Sequence, residues 1–450
     1  MPRVLILMTT ETYRAAAFAD AARCLGLDIA IGCDAELPVL RRHDDSEGGG
    51  SGSGGSGSSR VASIVLPFRD PEKAASLVAD FDRKLPVDAV VALDDAVLNA
   101  AAAIAGLLRL PGNDLAAVRR TTDKVLMREA LAVGEVTQPA FAVIPAHPGG
   151  SPPTVDALAV EAATGTIGFP CVVKATRLSG SQGVVKAGNL EEALHAAAVA
   201  IAEQRKRGLA DANLLVERYV DGPEVVVEGV LSRGVLRVAC ILDKPVPLTG
   251  PFFEETVFVS PTRLPPDLAR ECIRTAGRAA EALGLREGPV HAELRIEAGR
   301  PFLIEVAART IGGHCSRALS LPEGRSLEEV VLTAACGVDP AGAGTEIQRA
   351  RSGTEARRAG AAGQPACGVM MIPIPTAGRL SSVTGIEAAR AVAGITGVEI
   401  TAAPGSEIAP PPYGDRYLGF IFARGASPHD VEASLALAHS RLRVAIDSDI

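Results

Sequence analysis

Tryptophan is absent, and aromatic side chains of every kind make up 3% of the 450 residues. Binding to single-stranded nucleic acid relies on stacking rings, and binding to a duplex on a basic face. This chain offers neither, because 45 basic residues stand against 53 acidic ones, a formal net charge of -8. No apolar run approaches the roughly 20 residues that span a bilayer. The start, "MPRVLILMTTETYR", lacks the small-residue cleavage site of a signal peptide. Neither nucleic acid nor membrane is therefore expected as a partner. The eight cysteines form no C-x-x-C pair, which removes the simplest zinc and dithiol patterns. Read as reduced, buried small hydrophobes, they point to the cytoplasm. Two common nucleotide motifs are also missing. There is no G-K-[ST], and "MTTETYR" rather than G-x-G-x-x-G follows the first apolar run.

What the chain does have is Ala, Val, Leu and Ile. Hydrophobic residues reach 47%, enough for two or three globular domains at this length. One stretch differs from the rest. "GGGSGSGGSGSS", residues 48–59, can bury nothing and reads as a flexible coil. It resembles a man-made linker set in place of a loop, although a natural low-complexity loop has the same composition. It carries no functional reading.

The runs "VLILM" (4–8), "DIAIGC" (28–33), "ASIVLPF" (62–68) and "DAVVALD" (88–94), separated in part by Ala-rich helical stretches, predict a parallel α/β domain over 1–120. A second domain, 121–340, begins with a helix in "TDKVLMREALAVG", started by Thr or Asp and stopped at Gly134. It continues through the strands "FPCVVKAT" and "VVKAG", a long helix (190–207), further strands and a helix over 266–284, and ends in the hairpin "VHAELRI-EAGR-PFLIEV". The Gly/Ala/Arg-rich segment 338–367 reads as a loop or linker, and 341–450 as a small α+β appendage. No internal repeat is evident.

The hairpin raises a chemical question. Alternation puts His291, Glu293 and Arg295 on one face of strand 290–296, and Leu303, Glu305 and Ala307 on one face of its partner. A three-residue loop, "AGR", then sets Glu293 opposite Glu305. Directly opposed like charges destabilise a sheet unless something neutralises them. A hard divalent cation does so, and magnesium keeps sites free for substrate phosphates. The alternative is an exposed edge with solvated charges. Four residues on, Arg309 could grip a carboxylate or an acyl phosphate, and "IGGH" brings backbone close to whatever is bound. Lys174 ends an apolar strand before "LSGSQG", an arrangement that suits a phosphate cradle or, equally, an ordinary hairpin loop with a solvated lysine. In "LLVERYVDGPEVVVEG" a strand ends at Glu217. The turn after it offers backbone groups to a purine edge, and Glu224 could accept from ribose hydroxyls. The alternative there is a plain hairpin with a charged tip. Glu254 and Glu255, beside two phenylalanines, suit a substrate amine or a surface loop.

In this order, "DKVLMREAL", "FPCVVKAT", "SGSQGV", "VERYVDGPEVVVEGV", "HAELRI" and "LIEVAARTIGGH" resemble the ATP-grasp superfamily over about residues 85–320, and within it the amino-acid ligases and the carbamoyl-phosphate-synthetase-like group. The resemblance implies a central ATP-grasp domain of two α+β lobes between the N-terminal α/β domain and the appendage. It implies ATP and Mg²⁺, or Mn²⁺, as cofactors. Lys124 and Lys174 would contact the phosphates under a loop from Ser179 through Ser181 to Gly183. Glu217 and Val220 would frame adenine and Glu224 would take the ribose. Glu293 and Glu305 would hold the metal. Arg309 would stabilise the acyl phosphate. Glu255, Arg309, Gly312, Gly313 and His314 would meet the substrate. The activity implied is a carboxylate–amine ligase forming an amide between amino acids and releasing ADP and phosphate, with a homodimer left open. Ala307 departs from the pattern, because the superfamily often has a ligating Asn there. One rival is a bicarbonate-activating carboxylase, although no Met-Lys-Met sequence or duplicated half is present. The other is a catalytically weak ATP-binding scaffold.

Overall fold

The computed structural model describes residues 1–36, 61–146, 155–209, 211–319, 321, 324–337, 365–414 and 416–447. The 48–59 stretch and nearly all of the 338–367 segment lie outside the described residues. The first four runs form a parallel sheet as expected. Its strands are β1 (Arg3–Met8), β2 (Asp28–Cys33), β3 (Ala62–Val65) and β4 (Ala89–Ala92), in the order β3-β2-β1-β4. Helices α1 (Ala15–Cys24), α2 (Pro71–Asp82) and α3 (Leu98–Leu108) accompany it. β1 is apolar from Val4 to Met8 because both its faces are covered. Leu5 and Leu7 join a core with residues of α2 and α3, and Val4 and Ile6 join one shared with the next domain.

Helix α4 (Leu115–Thr122) leads into α5 (Lys124–Val133). The Asp123 side chain caps α5 by accepting from the Val125 amide at 3.0 Å, and Gly134 ends it. That cap makes Lys124 the first helical residue. A small antiparallel sheet follows, built from β5 (Phe141–Ile144), β6 (Cys171–Ala175), β7 (Val184–Ala187) and β8 (Leu214–Arg218) in the order β5-β8-β6-β7. Its core contains residues of α6 (Ala157–Ile167) and α7 (Leu190–Lys206).

β9 (Glu224–Ser232) does not pair with β8, so the segment between them is no hairpin. It crosses to a second, eight-stranded sheet. The Glu297 carboxylate anchors this connector, accepting from the Arg218 guanidinium at 3.0 Å and from the Asp221 amide at 3.0 Å. Gly222 sits at φ 114°, and a Cβ there would lie 2.1 Å from the Ile296 carbonyl oxygen. Only glycine fits. The large sheet also contains β10 (Val235–Lys244), β11 (Val257–Ser260), β12 (Gly288–Glu297) and β13 (Arg300–Ala307), with α8 (Pro266–Leu283) and α9 (Leu327–Ala335) packed against it.

The C-terminal segment extends this sheet. β14 (Ala366–Ile372), β16 (Ile395–Ile400) and β18 (Gly419–Gly425) complete the order β13-β12-β9-β10-β11-β14-β18-β16. β15 (Gly378–Thr384), β17 (Glu407–Ile408) and β19 (Arg443–Asp447) form a separate three-stranded sheet. Helices α10 (Ile386–Arg390) and α11 (Pro428–Arg441) complete the unit. No described helix is long and apolar enough to cross a membrane.

The β12–β13 hairpin corrects two expectations. Its loop has two residues, Ala298 and Gly299, both at positive φ, and Glu297 pairs with Arg300. That turn alone would set Glu293 opposite Ile304. A bulge intervenes, so Leu294 pairs with Leu303 while Glu293 pairs with Glu305. The two carboxylates are opposed as expected, but through a shorter turn and one extra residue. The bulge also breaks the alternation, so Leu303 is buried in the core rather than sharing the Glu305 face.

Candidate functional site

A cleft of about 650 Å³, open to solvent, lies between the small sheet and the end of the large one. From the small lobe it receives Lys174, Ser179, Ser181 and Glu217. Val220 comes from the connector. Glu224, Glu293 and Glu305 come from the large sheet, Glu255 from the connection leading into β11, and Lys124 from the start of α5. Ten of the residues singled out in the sequence therefore share one wall or another. Val172, Val184, Tyr219, Leu248, Phe253 and Ile304 give it apolar surface, with Tyr219 and Phe253 stacked at 6.4 Å and the Arg295 guanidinium about equally far from both rings. An apolar slot with a few convergent polar groups is the usual form of a small-molecule site.

The charges are arranged in two sets. In the first, Glu217 is fully engaged, accepting from Arg128 Nε at 2.6 Å and pairing with Lys174 Nζ at 2.7 Å. Burial alone would raise its pKa, but Arg128 and Lys174 outweigh burial and hold it down to about 2. Arg128 also donates to the bulge carbonyls, to Leu303 at 3.3 Å and to Ile304 at 2.6 Å. It thus clamps the small sheet to the hairpin.

In the second set, Glu224, Glu255 and Glu293 each present an oxygen within 4.8 Å of the others. The buried Lys244 ammonium stands among them, 2.5 Å from Glu224, 3.5 Å from Glu293 and in contact with Glu255. Burial opposes its charge, yet the three carboxylates raise its pKa well above the usual lysine value. Burial, helped by Glu293 and Glu224, lifts Glu255 to about 7 despite Lys244. Glu293 is held well below the usual range: burial opposes this, but Lys244 and His291 prevail. Arg295 donates to Glu224 at 2.8 Å. Across the hairpin Glu305 pairs with Lys124 at 3.3 Å, and Lys124 also donates to the Leu178 carbonyl in the Gly/Ser loop at 2.7 Å. The opposed carboxylates thus each lie beside one of the protein's own cations, Glu305 beside Lys124 and Glu293 beside Lys244, rather than on an exposed edge with solvated charges. The donor set is entirely oxygen, which fits a hard cation such as magnesium.

Five of the residues read as site residues lie off the cleft walls. Gly183 packs on Ala175 and Ala200, where a Cβ would be crowded. Arg309 donates to Asp95 of the N-terminal domain at 2.8 Å. Burial opposes the Arg309 charge, but Asp95 and Glu305 raise its pKa above the usual value, so it lies within electrostatic reach of the hairpin. Gly312 lies near Arg14, and Gly313 abuts Phe420. His314 stacks on Phe420 at 5.0 Å and pairs with Glu399 at 2.9 Å, at the contact with the C-terminal segment.

Residues 167–318 match the ATP-grasp domain family, and residues 370–447 match the L-amino acid ligase C-terminal domain 2. The chain carries an ATP-grasp domain. It is 32% identical to carnosine synthase 1 of Gallus gallus over 185 residues, 40% of this chain and 20% of that protein. It is 28% identical to the alanine–anticapsin ligase of Bacillus subtilis (strain 168) over 196 residues, 39% of this chain and 40% of that protein. The chain thus spans less than half the length of either relative. The fold is that of the L-amino acid ligase from Bacillus licheniformis, with a TM-score of 0.75 at 23% identity over 100% of this chain and 99% of that one.

Around the ATP-grasp cleft, sequence reasoning missed Lys244, Arg295, His291 with Glu228, Arg128 and Asp95. Signals existed for some of them. Lys244 ends an apolar strand much as Lys174 does, and alternation had already put His291 and Arg295 on the Glu293 face. Arg128 carried no local signal, because its partners lie 89 and 175 residues away.

Proposed function

We propose that the chain is an ATP-dependent carboxylate–amine ligase that joins amino acids. The observation that carries this reading is the cleft. Two lysines flank a Gly/Ser loop there, facing four carboxylates and an apolar slot. The relatives named above are a carnosine synthase and an alanine–anticapsin ligase, and the C-terminal match is to an L-amino acid ligase domain.

In this reading the adenine enters the slot beside Val220 and Tyr219, with Glu217 held behind it and Glu224 near the ribose. Lys124 and Lys174 meet the phosphates under the loop from Ser179 to Gly183. Magnesium, or manganese, bound by Glu293 and Glu305 would offset phosphate charge when present. A substrate carboxylate oxygen attacks the γ-phosphorus, the bond to ADP breaks, and an acyl phosphate forms. The substrate ammonium, steadied by Glu255, gives that carboxylate a proton; the freed amine nitrogen attacks the acyl carbon, the acyl C–O bond to the phosphate breaks, and the departing phosphate takes the nitrogen's second proton. Arg309 holds charge on the acyl phosphate and the tetrahedral intermediate, close to the Gly312–His314 turn. The protein's work is positioning and charge neutralisation. Ala307 supplies no ligand; it stands directly across the hairpin from His291.

This route moves one carboxylate oxygen onto the released phosphate. The test supplies an ¹⁸O-labelled amino acid with a second amino acid and weighs the phosphate. Labelled phosphate with ADP is expected. Unlabelled phosphate alongside amide, or AMP in place of ADP, overturns the mechanism. ADP formation indifferent to amino acids would mean a scaffold with residual hydrolysis.

A further inference from the structure

We propose that Glu228 and His291 form a hydrogen-bonded carboxylate–histidine relay that orients the Glu293 carboxylate for the nucleotide's metal ion. The inference rests on the reading of Glu293 as a metal ligand. His291 and Glu228 are direct cross-strand neighbours on β12 and β9. His291 Nδ1 bonds to Glu228 Oε1, and its Nε2 lies 3.1 Å from Glu293 Oε1. Both ring nitrogens thus face carboxylate oxygens, so the ring is held at its two ends and links Glu228 to Glu293.

Packing does not explain Glu228. It is 0% exposed, and its other oxygen has no hydrogen-bond partner among the described residues. Its neighbours on the same face, Val226 and Val230, show that an apolar side chain suits this part of the sheet. A carboxyl group buried there needs a partner, and its one hydrogen bond among the described residues is to His291. The arrangement is a buried acid fixing a ring whose other nitrogen fixes a metal-ligand carboxylate, which is how outer partners commonly tune metal sites. His291 is thus a positioning residue.

The experiment holds the full chain with a non-hydrolysable ATP analogue, titrates Mn²⁺, and follows free Mn²⁺ by electron paramagnetic resonance. His291→Phe keeps an aromatic ring and removes both nitrogens. It should weaken Mn²⁺ binding about 10–100-fold while leaving the metal-free affinity for the analogue unchanged. His291→Gln, which keeps one N–H donor, should recover most of the loss. Unchanged Mn²⁺ affinity in His291→Phe, or equal losses in the two variants, overturns the proposal. If His291→Phe does not fold by circular dichroism, Glu228→Gln replaces it. That variant keeps the shape and should also weaken Mn²⁺ binding, and no change in it overturns the pair. Glu293→Gln separates the two levels. Loss of Mn²⁺ there with none in the His291 variants removes only this inference. Normal Mn²⁺ binding in Glu293→Gln removes the ligand reading beneath it.

Discussion

Glu217 shows how much one buried carboxylate can hold. It joins Arg128 on α5 to Lys174 on β6, and all three side chains are nearly inaccessible. Breaking a buried pair by neutralising one partner leaves the others uncompensated and costs about 3–5 kcal/mol. Glu217→Gln should therefore lower stability by about that amount near neutral pH, read from chemical denaturation. The pH dependence has a definite sign. The folded pKa is depressed to about 2 from the usual glutamate value of 4.5, so the stabilisation is present above 4.5 and is lost as pH falls through 2. The gap in melting temperature between the native chain and Glu217→Gln should be flat from pH 8 to 5 and shrink below 4.5. A gap that closes above pH 5 would mean the carboxylate is not held by the two cations. Lys244 gives a second prediction at this scale. Lys244→Met leaves Glu224, Glu255 and Glu293 facing one another without their shared ammonium. It should lower stability, and added Mg²⁺ alone should restore part of the loss in the variant but not in the native chain. A variant that ignores Mg²⁺ would count against cation binding by this cluster.

Among the elements, the Gly/Ser loop and the hairpin behave differently. Gly180, Ser181 and Gly183 all have φ near 60°, a conformation that favours glycine, and Lys124 grips the loop at Leu178. Arg177, half-exposed at its entry, should be cut by trypsin more slowly once an ATP analogue binds; equal cutting with and without the analogue would mean the loop does not close over phosphate. The local elements were legible because their causes are local. Asp123 and Gly134 bound α5 by the ordinary cap rules, and period-two alternation placed His291, Glu293 and Arg295 together. The hairpin was legible only in outcome. The turn is one residue shorter than "AGR", and the unopposed Ile304 restores the register. That bulge is held by Arg128, whose effect comes from far along the chain. A long side chain with partners in other elements leaves no periodic mark, and this is why Arg128 was missed while the opposition of Glu293 and Glu305 was legible.

For the whole molecule, the N-terminal domain packs against the large sheet and reaches Arg309 beside the cleft. Val4, Ile6, Met8 and Phe18 share one core with Val226, Val230 and Leu242 of the large sheet and with Phe420 of the C-terminal segment. The polar groups along that seam are joined as well. Arg14 donates to the Leu93 carbonyl and to Thr310, and Asp95 accepts from Arg309. Burial would raise the Asp95 pKa, but Arg309 holds it below the usual range, so the pair stays charged at neutral pH. The guanidinium proposed to steady the acyl phosphate is therefore aimed by a carboxylate from another domain, more than two hundred residues away in sequence. Asp95→Ala should remove that aim while leaving Lys124, Lys174 and the purine slot intact. Since Arg309 is assigned to the acyl-transfer steps, the loss should fall on turnover, tenfold or more in kcat, with affinity for an ATP analogue within about twofold of native. Asp95→Glu, which keeps the charge, should recover part of the rate. An equal fall in nucleotide affinity and turnover would instead place the effect in domain packing and separate Arg309 from the chemistry.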